Sequence, residues 1–481
     1  MAGIGFELKK LFINRSIMSK ARAYFYSVFV TIGPVIIGAL AVSSTFALLE
    51  IGGISKSDLD LLQTSIIYSF IASILITSGY CMVLSRYVSD RLYFNRKEDI
   101  LPTLYGSITI ITIVCAIIGF FFYLNSPLPL SYKVLCYLLF IELVIMTILT
   151  IYISAVQNYK KIAFSFLYAA IAAIIIGFLL IKLRIFPITI VIMLSFDICI
   201  MIIIIMLISE VQNYYNQKST YYFDFIRYFA EQKVLFLINT LYMGGLYVHS
   251  FIFWRLPSIN VIISDTYIYA PSYDIPAFYA LYSIFPTLVI FIVRFETSFF
   301  EKYKNYFYLV NNNACYEDMQ LAKKEMQKIL TKELLYIMEI QLFVTIGTII
   351  YGLKVLPYFG FTYEMVNLFN IMALGYYCVI IMYVIMTILL YFNSQIKALS
   401  IVLVFFTSNF ILTFISTFLE SSFYGLGFFL SGLISLVFAI IMLVNYYKNL
   451  EYYIFCTQVA LQPKKPSFIS KYTDRLNKIG G

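Results

Sequence analysis

Long continuous apolar runs constrain this chain more than any other feature. Segments such as "IAAIIIGFLLI" and "ICIMIIIIMLI" are uninterrupted and do not alternate between apolar and polar residues. A helix needs about 20 apolar residues to cross a bilayer core, and it satisfies every backbone group internally. Because 62% of the residues are hydrophobic and only 12% are charged, against about 25% charged in soluble domains, the sequence predicts an all-α polytopic membrane protein.

Hydropathy and charge together predict a topology with both termini in the cytoplasm. The twelve predicted spans are 24–49, 62–85, 103–124, 134–156, 162–181, 186–209, 234–254, 276–293, 334–353, 365–391, 398–419 and 423–447. Cytoplasmic flanks are expected to be rich in Lys and Arg. Of 34 such residues, only six fall on the predicted external side: Lys56, Lys133, Lys182, Arg184, Arg255 and Lys354.

A polar stretch divides the predicted spans into two sets of six. Residues 210–233, "EVQNYYNQKSTYYFDFIRYFAEQK", separate an N-lobe over 24–209 from a C-lobe over 234–447. Doubling of this kind is common in transporters, where the substrate passes between the halves. We predict two six-helix lobes, a cytoplasmic connector between them and a cytoplasmic tail over 448–481.

The C-lobe contains a cytoplasmic loop at 296–333. Apolar residues recur there at helical spacing among lysines, namely Met319, Ala322, Met326, Ile329 and Leu334. This pattern predicts an amphipathic helix. The helix either lies on the lipid headgroups or provides a docking face for a cytoplasmic partner.

The first twelve residues, "MAGIGFELKKLF", do not have the pattern of a secretory signal, because charges interrupt them before the first apolar run. Ile4, Leu8, Leu11 and Phe12 share one helical face, which predicts that segment 1–23 begins as a short amphipathic helix in the cytoplasmic interface. Glycine weakens a helix. A docking motif is therefore predicted at Gly3, Gly5, Phe6 and Glu7, directed at the cytoplasmic mouth or at a synthase.

The sequence lacks the motifs of several catalytic, nucleotide-binding and metal-binding classes. The chain contains no P-loop, no G-x-S-x-G and no H-E-x-x-H motif. Its seven cysteines form no C-x-x-C pair, and His249 is the single histidine. We therefore expect no enzyme activity, no catalytic residue, no cofactor and no metal site. The net charge of +9 lies at the flanks of spans, which indicates membrane topology and no nucleic-acid partner.

Two carboxylates lie inside predicted spans, Glu142 in "LLFIELVIM" and Asp197 in "MLSFDICIM". Ionisable residues at the centre of a span cost roughly 2.5 to 3.5 kcal/mol on insertion scales and usually face a bundle interior or a wet cavity. These residues are candidates for lining a path, binding a coupling ion or accepting a proton. Alternatively, each bonds a Ser, Thr or Tyr of another helix and only fixes the packing.

Gly33 and Pro34 lie in the first predicted span, "VTIGPVIIG". Proline removes a backbone hydrogen bond and lets the helix bend. The pair is a candidate gating hinge or a harmless kink.

Aromatic and polar residues are concentrated in the seventh and eighth predicted spans. The chain has 43 Tyr and 45 Phe. Aromatic faces can stack on sugar rings while phenol hydroxyls bond sugar hydroxyls. The candidates for a translocation path in these two spans and at their ends are His249, Trp254, Tyr273, Asp274, Arg294 and Glu296.

These residues resemble a known family. The opening "MAGIGFELKKL", the Gly-Pro of the first span, "GLYVH" before Trp254, and the stretch from Tyr273 to Tyr303 resemble the PelG family, the inner-membrane transporters of the Pel exopolysaccharide system. The resemblance implies a bacterial inner-membrane exporter of the multidrug, oligosaccharidyl-lipid and polysaccharide flippase superfamily that acts in biofilm formation. It also implies an N-acetylhexosamine-rich polymer, a PelF-like cytoplasmic glycosyltransferase, and PelD- and PelE-like membrane partners regulated by cyclic di-GMP.

Three functions follow as hypotheses. The first is export of a nascent polysaccharide, either through a continuous conduit or by alternating access. The second is flipping of a lipid-linked oligosaccharide, which predicts Lys or Arg within the spans to bind a diphosphate. The third is a membrane scaffold that anchors the synthase and transports nothing.

Overall fold

The computed structural model describes residues 55–456, apart from 155, 157–158, 184–185 and 216–218. Outside the described residues lie the first predicted span with Gly33 and Pro34, the docking motif of Gly3, Gly5, Phe6 and Glu7, and the tail beyond residue 456. Within the described part, eleven helical segments are long and apolar enough to cross a membrane. They overlap the eleven remaining predicted spans one to one, which confirms an all-α polytopic membrane protein; the total of twelve and the orientation stay predictions.

The first half of the described chain contains five long helices, followed by the connector. These are α1 (Lys56–Tyr93), α2 (Ile100–Leu124), α3 (Leu130–Ser154), α4 (Tyr159–Leu183) and α5 (Ile188–Tyr214). Helix α1 begins where the Ser55 hydroxyl accepts a hydrogen bond from the Asp58 N–H at 3.2 Å, as an N-cap does. A short helix, α6 (Ile226–Glu231), lies in the connector.

The second half adds eight helices and one small hairpin. Its elements are α7 (Lys233–Phe253), β1 (Val261–Ile263), β2 (Tyr267–Tyr269), α8 (Pro271–Leu281), α9 (Phe285–Arg294), α10 (Phe300–Asn311), α11 (Tyr316–Val355), α12 (Tyr363–Tyr391), α13 (Gln395–Ser416) and α14 (Leu426–Lys448). Strands β1 and β2 are antiparallel, with Ile262 opposite Ile268. Helix α12 has the largest buried share of the eleven spans, so it forms the centre of this half.

Helices pack mainly within their own half. In the first half α3 packs on α1, α2 and α5; in the second, α14 packs on α12 and α13, and α13 packs on α7. The main helix contact between the halves joins α1 to α7. Gly79 permits this contact, because a Cβ there would come within 2.8 Å of the Phe236 carbonyl oxygen. The division into two six-helix lobes remains a prediction, since the first span lies outside the described residues.

The eighth predicted span, 276–293, is a broken helix. Helix α8 ends at Leu281, a short 3₁₀ turn covers Tyr282–Ile284, and α9 begins at Phe285. Pro286 accounts for the break, because proline has no N–H to donate to the carbonyl of Tyr282, four residues earlier, and its ring crowds that carbonyl. A π-helical turn, Phe295–Phe299, follows α9.

The predicted amphipathic segment belongs to a single 40-residue helix, α11, about 60 Å long at 1.5 Å per residue. Its buried face, which includes Ala322, Met326 and Leu330, continues directly into the span. The Lys323 side chain donates to Glu451 beyond α14, and this hydrogen bond holds the pKa of Glu451 below its usual range. A helix continuous with a span does not lie flat on the headgroups, so the structure disagrees with the lipid-surface interpretation.

Candidate translocation path

His249 and Tyr273 meet inside the second half. His249 lies near the end of α7 and Tyr273 in the first turn of α8, with 2% and 1% of their surfaces exposed. The Tyr273 hydroxyl and His249 Nδ1 are 3.1 Å apart, and the tautomer decides which group donates. The other ring nitrogen, Nε2, is buried and has no hydrogen-bond partner among the described residues. The predicted pair therefore forms one site with unused hydrogen-bonding capacity.

Trp254 and Asp274 form a second contact beside it. Trp254 Nε1 donates to Asp274 Oδ2 at 2.6 Å, and the backbone N–H of Ala270 donates to the same oxygen at 3.1 Å. A carboxylate in the first turn of a helix also interacts favourably with the helix dipole. Asp274 thus fixes both the start of α8 and the orientation of the indole.

The β1–β2 hairpin follows Trp254 and docks on the first half of the chain. The Tyr68 hydroxyl donates to the Ile268 carbonyl at 2.6 Å and accepts from the Ile268 N–H at 3.1 Å. The hydroxyls of Tyr123 and Tyr267 lie 3.1 Å apart, and those of Ser126 and Thr266 lie 2.8 Å apart. We call this end of the molecule the hairpin face, defined by Tyr68, Ser126, Trp254 and residues 261–269.

Glu142 and Asp197 lie together in the first half. Helices α3 and α5 pack against each other and bring the two carboxyl groups close enough to interact electrostatically. Asp197 is 5% exposed. Both of its carboxyl oxygens, and Oε2 of Glu142, are buried without a hydrogen-bond partner among the described residues.

Among the described residues, no Ser, Thr or Tyr hydrogen-bonds either oxygen of Asp197 or Oε2 of Glu142, as the packing alternative would require. An isolated ionised carboxylate is very costly in an apolar medium, so such a group is neutralised by a proton or paired with a cation. The pair is therefore suited to take up a proton or a cation.

Arg294 is the last residue of α9 and lies at the end of the helix bundle opposite His249, which is near the end of α7. Its guanidinium is 3.7 Å from Glu333 Oε2 and 4.3 Å from the ring centroid of Tyr336. The side chain of Glu296 lies outside the described residues. The structure thus separates Arg294 from the His249 site, whereas the sequence grouped them in one constellation.

An ion-pair network at the same end escaped the sequence analysis. Arg91, at the end of α1, pairs with Asp99 at 3.2 Å and with Asp224 of the connector, and its guanidinium lies over the Tyr87 ring. These side chains are largely buried. The sequence showed charged flanks there but no signal for which charges pair. We call this end the connector face, defined by Arg91, Asp99, Asp224 and Arg294.

The described residues contain no group of three or more His, Cys, Asp or Glu that could hold a metal ion. The polar groups of the His249 and Asp197 sites that lack protein partners can bind a polar solute.

The fold resembles that of solved membrane transporters. The Vibrio cholerae MATE transporter VcmN, in its bent form, matches with a TM-score of 0.58 and 12% identity over 93% of this chain and 99% of that chain. An outward-facing multidrug resistance MATE family transporter of the MOP superfamily matches with a TM-score of 0.60 and 11% identity, over 88% and 96%. The eukaryotic MATE transporter AtDTX14 matches with a TM-score of 0.56 and 8% identity, over 95% and 97%. No curated protein sequence matches the chain.

These findings define a multi-pass protein of the bacterial cytoplasmic membrane with the MATE fold. The family model described as "PelG: Putative exopolysaccharide Exporter (EPS-E)" matches residues 1–455. The chain therefore belongs to the PelG family of exopolysaccharide exporters, as its resemblance in sequence predicted.

Proposed function

We propose that this chain exports a Pel-type, N-acetylhexosamine-rich exopolysaccharide across the cytoplasmic membrane as a cytoplasmic glycosyltransferase makes it. The observation that carries the proposal is the His249 site, where His249 and Tyr273 meet inside a membrane-embedded half and no described residue bonds the second ring nitrogen of His249. Polar groups without partners inside a membrane protein usually face a bundle interior or a wet cavity. Membership of the exopolysaccharide exporter family agrees with this proposal.

The predicted path leads to the hairpin face. His249, Tyr273, Asp274 and Trp254 lie near that end of the second half, where the hairpin bonds Tyr68 of the first half. A polymer leaving between the halves must pass this contact. A long polymer does not fit an occluded pocket, which favours a conduit driven by chain elongation over a rocking carrier.

The glycosyltransferase would deliver the polymer at the connector face. That face has the exposed lysines Lys324, Lys328 and Lys332 on α11, and charged surfaces of this kind can steer and orient partners. PelF-like synthase and cyclic di-GMP-regulated PelD- and PelE-like proteins are the partners that the family implies.

A lipid-linked oligosaccharide flippase is the second candidate. It needs cations inside the membrane to bind a diphosphate, whereas α12 contains no Lys or Arg and α7 contains only Lys233, its first residue. This distribution favours a substrate without a diphosphate.

Deletion of the gene in a strain that makes the polymer tests the proposal. We expect secreted polysaccharide to disappear and polymer to remain inside the cell, with wild-type chain restoring secretion. Unchanged secretion would refute export. Loss of polymer inside and outside the cell would instead support the scaffold alternative, particularly if purified synthase binds the chain and reconstituted vesicles pass no polymer.

A further inference from the structure

Five buried or half-buried tyrosines lie together inside the second half. They come from three helices, α7, α8 and α12, and we call them the tyrosine cluster: Tyr242, Tyr247, Tyr273, Tyr376 and Tyr383. The phenol of Tyr242 lies near those of Tyr383, Tyr376 and Tyr247. The phenols of Tyr376 and Tyr273 also lie near each other.

Ring contacts join four of the five tyrosines, with Phe405 lying 6.4 Å from both Tyr242 and Phe428. The centroids of Tyr242 and Tyr383 are 5.1 Å apart, and Tyr376 lies 4.8 Å from Phe428. Phe428 in turn lies 4.8 Å from His249, which bonds Tyr273. The series extends from the middle of α12 to the first turn of α8, at the hairpin face.

The cluster retains hydrogen-bonding capacity. The hydroxyls of Tyr242, Tyr247 and Tyr376 form no hydrogen bond with any described residue, and none of them is sealed from solvent. Tyr247 and Tyr383 lie deep within the protein, yet part of each side chain remains accessible. A phenol both donates and accepts hydrogen bonds, and buried polar groups in native proteins are normally paired. Open, partly accessible phenols inside the protein indicate that a ligand supplies the missing partners.

The charge of the lining restricts that ligand. Helix α12, which supplies Tyr376 and Tyr383, has no Lys or Arg. The nearest carboxylate, Asp274, already accepts hydrogen bonds from Trp254 and Ala270. A lining of neutral donors and acceptors on aromatic rings suits a neutral, hydroxyl-rich ligand and gives no counter-ion to a diphosphate.

We propose that the tyrosine cluster is a binding site for neutral sugar units, whose hydroxyl and amide groups bond the phenols while the ring faces pack on aromatic side chains. This inference rests on the proposed export function. It identifies the sugar units of the polymer as the groups that the second half binds. A site built to hydrogen-bond a ligand hydroxyl discriminates strongly against analogues that lack it. The direct test is therefore to remove the hydroxyl of a cluster tyrosine and to measure the loss of affinity.

The test is titration of the full-length chain with the tetrasaccharide of N-acetylglucosamine by calorimetry. The chain is reconstituted in lipid nanodiscs, because maltoside and glucoside detergents present competing sugars. We expect wild type to bind, and Tyr242→Phe and Tyr376→Phe each to weaken binding about 3- to 10-fold, the loss of one net hydrogen bond. The matched control, Tyr377→Phe on the same helix but outside the cluster, should bind within 2-fold of wild type.

Tyr→Phe keeps the ring, and unchanged thermal unfolding will show that each variant is folded. Equal affinity of both cluster variants and wild type would overturn the site, as would absence of binding at millimolar tetrasaccharide. Binding of farnesyl diphosphate that these variants weaken, without tetrasaccharide binding, would overturn it in favour of a diphosphate ligand. None of these results removes the export proposal, which the location of the polymer in the deletion strain tests separately.

Discussion

The rings of Tyr68 and Trp254 stack, with centroids 4.9 Å apart and planes 13° from parallel. Tyr68 belongs to α1 in the first half of the chain, and Trp254 follows α7 in the second. Trp254 is the single tryptophan of the chain, and its indole N–H donates to Asp274. The stack and the hydrogen bonds of Tyr68 to Ile268 therefore join the two halves at the hairpin face.

Crosslinking the hairpin to the first half should block export. The hydroxyls of Ser126 and Thr266 are 2.8 Å apart, so the double variant Ser126→Cys/Thr266→Cys places two thiols beside each other. We expect oxidation to stop secretion and reductant to restore it, because the hairpin must separate from the first half to let a polymer leave between the halves. The measurement is secreted polysaccharide before and after oxidation, with the two single variants as controls. Full secretion from an oxidised, fully crosslinked population would show that the path does not run under the hairpin.

The carboxylate pair of the first half should be needed for transport. Asp197→Asn and Glu142→Gln keep the shape of each side chain but can no longer bind a proton or a cation as a carboxyl group does. We expect each to lower secretion at least several-fold, while the chain still inserts and folds. The assay is polymer secretion at several external pH values, with Glu364→Gln, at the exposed start of α12, as the control. Wild-type secretion by both variants at every pH would leave the pair without a role in transport.

Removing Arg91 should destabilise the connector face. Arg91→Met leaves the buried Asp99 without its cation and leaves Asp224 paired only with the more exposed Arg227, at 3.3 Å. Breaking a buried pair in this way costs about 3–5 kcal/mol. Arg86→Met on the same helix removes only an i, i+4 pair with Asp90, and the Arg86 side chain is 52% exposed; pairs of that kind contribute at most about 1 kcal/mol. Thermal unfolding of the two purified variants compares these costs. If both variants unfold at the same temperature, the buried network adds little to stability.

The native cysteines report the orientation of the chain. Cys315 and Cys456 are exposed, and both fall on the predicted cytoplasmic side; Cys115, Cys136, Cys199 and Cys378 are buried. A membrane-impermeant maleimide should label Cys315 and Cys456 in inside-out vesicles and leave intact cells unlabelled. Peptide mapping by mass spectrometry identifies the labelled sites. Labelling of Cys315 or Cys456 from outside intact cells would reverse the predicted topology.

Prediction from sequence was most successful where the physics is local. Each of the eleven predicted spans in the described part overlaps a helix, because a continuous apolar run in lipid has no other way to satisfy its backbone. Pro286 in "SIFPTLV" indicates a helix break, but the sequence analysis did not predict one. The sequence could not predict that α11 is one continuous helix. The lysines at 323, 324 and 328 are typical of a surface helix and also of a helix that extends from the membrane.

The candidate site was predicted only in part. The sequence singled out His249, Tyr273, Trp254 and Asp274, and the structure brings them together as two adjacent pairs. It gave no reason to choose Tyr242 or Tyr376 among 43 tyrosines, nor to pair Arg91 with Asp224, which lies 133 positions away.

By itself, the sequence determined the class of protein, the positions of its spans and its family. Hydropathy, the length of each apolar run and short motifs are all properties of neighbouring residues. Only the tertiary structure decided which polar groups meet. Their pairing depends on the rotation and crossing of helices distant in the chain, as where the small Gly79 lets α1 approach α7. Packing of the halves therefore places Tyr68 on Trp254, and packing within the second half leaves the phenols of Tyr242, Tyr247 and Tyr376 open.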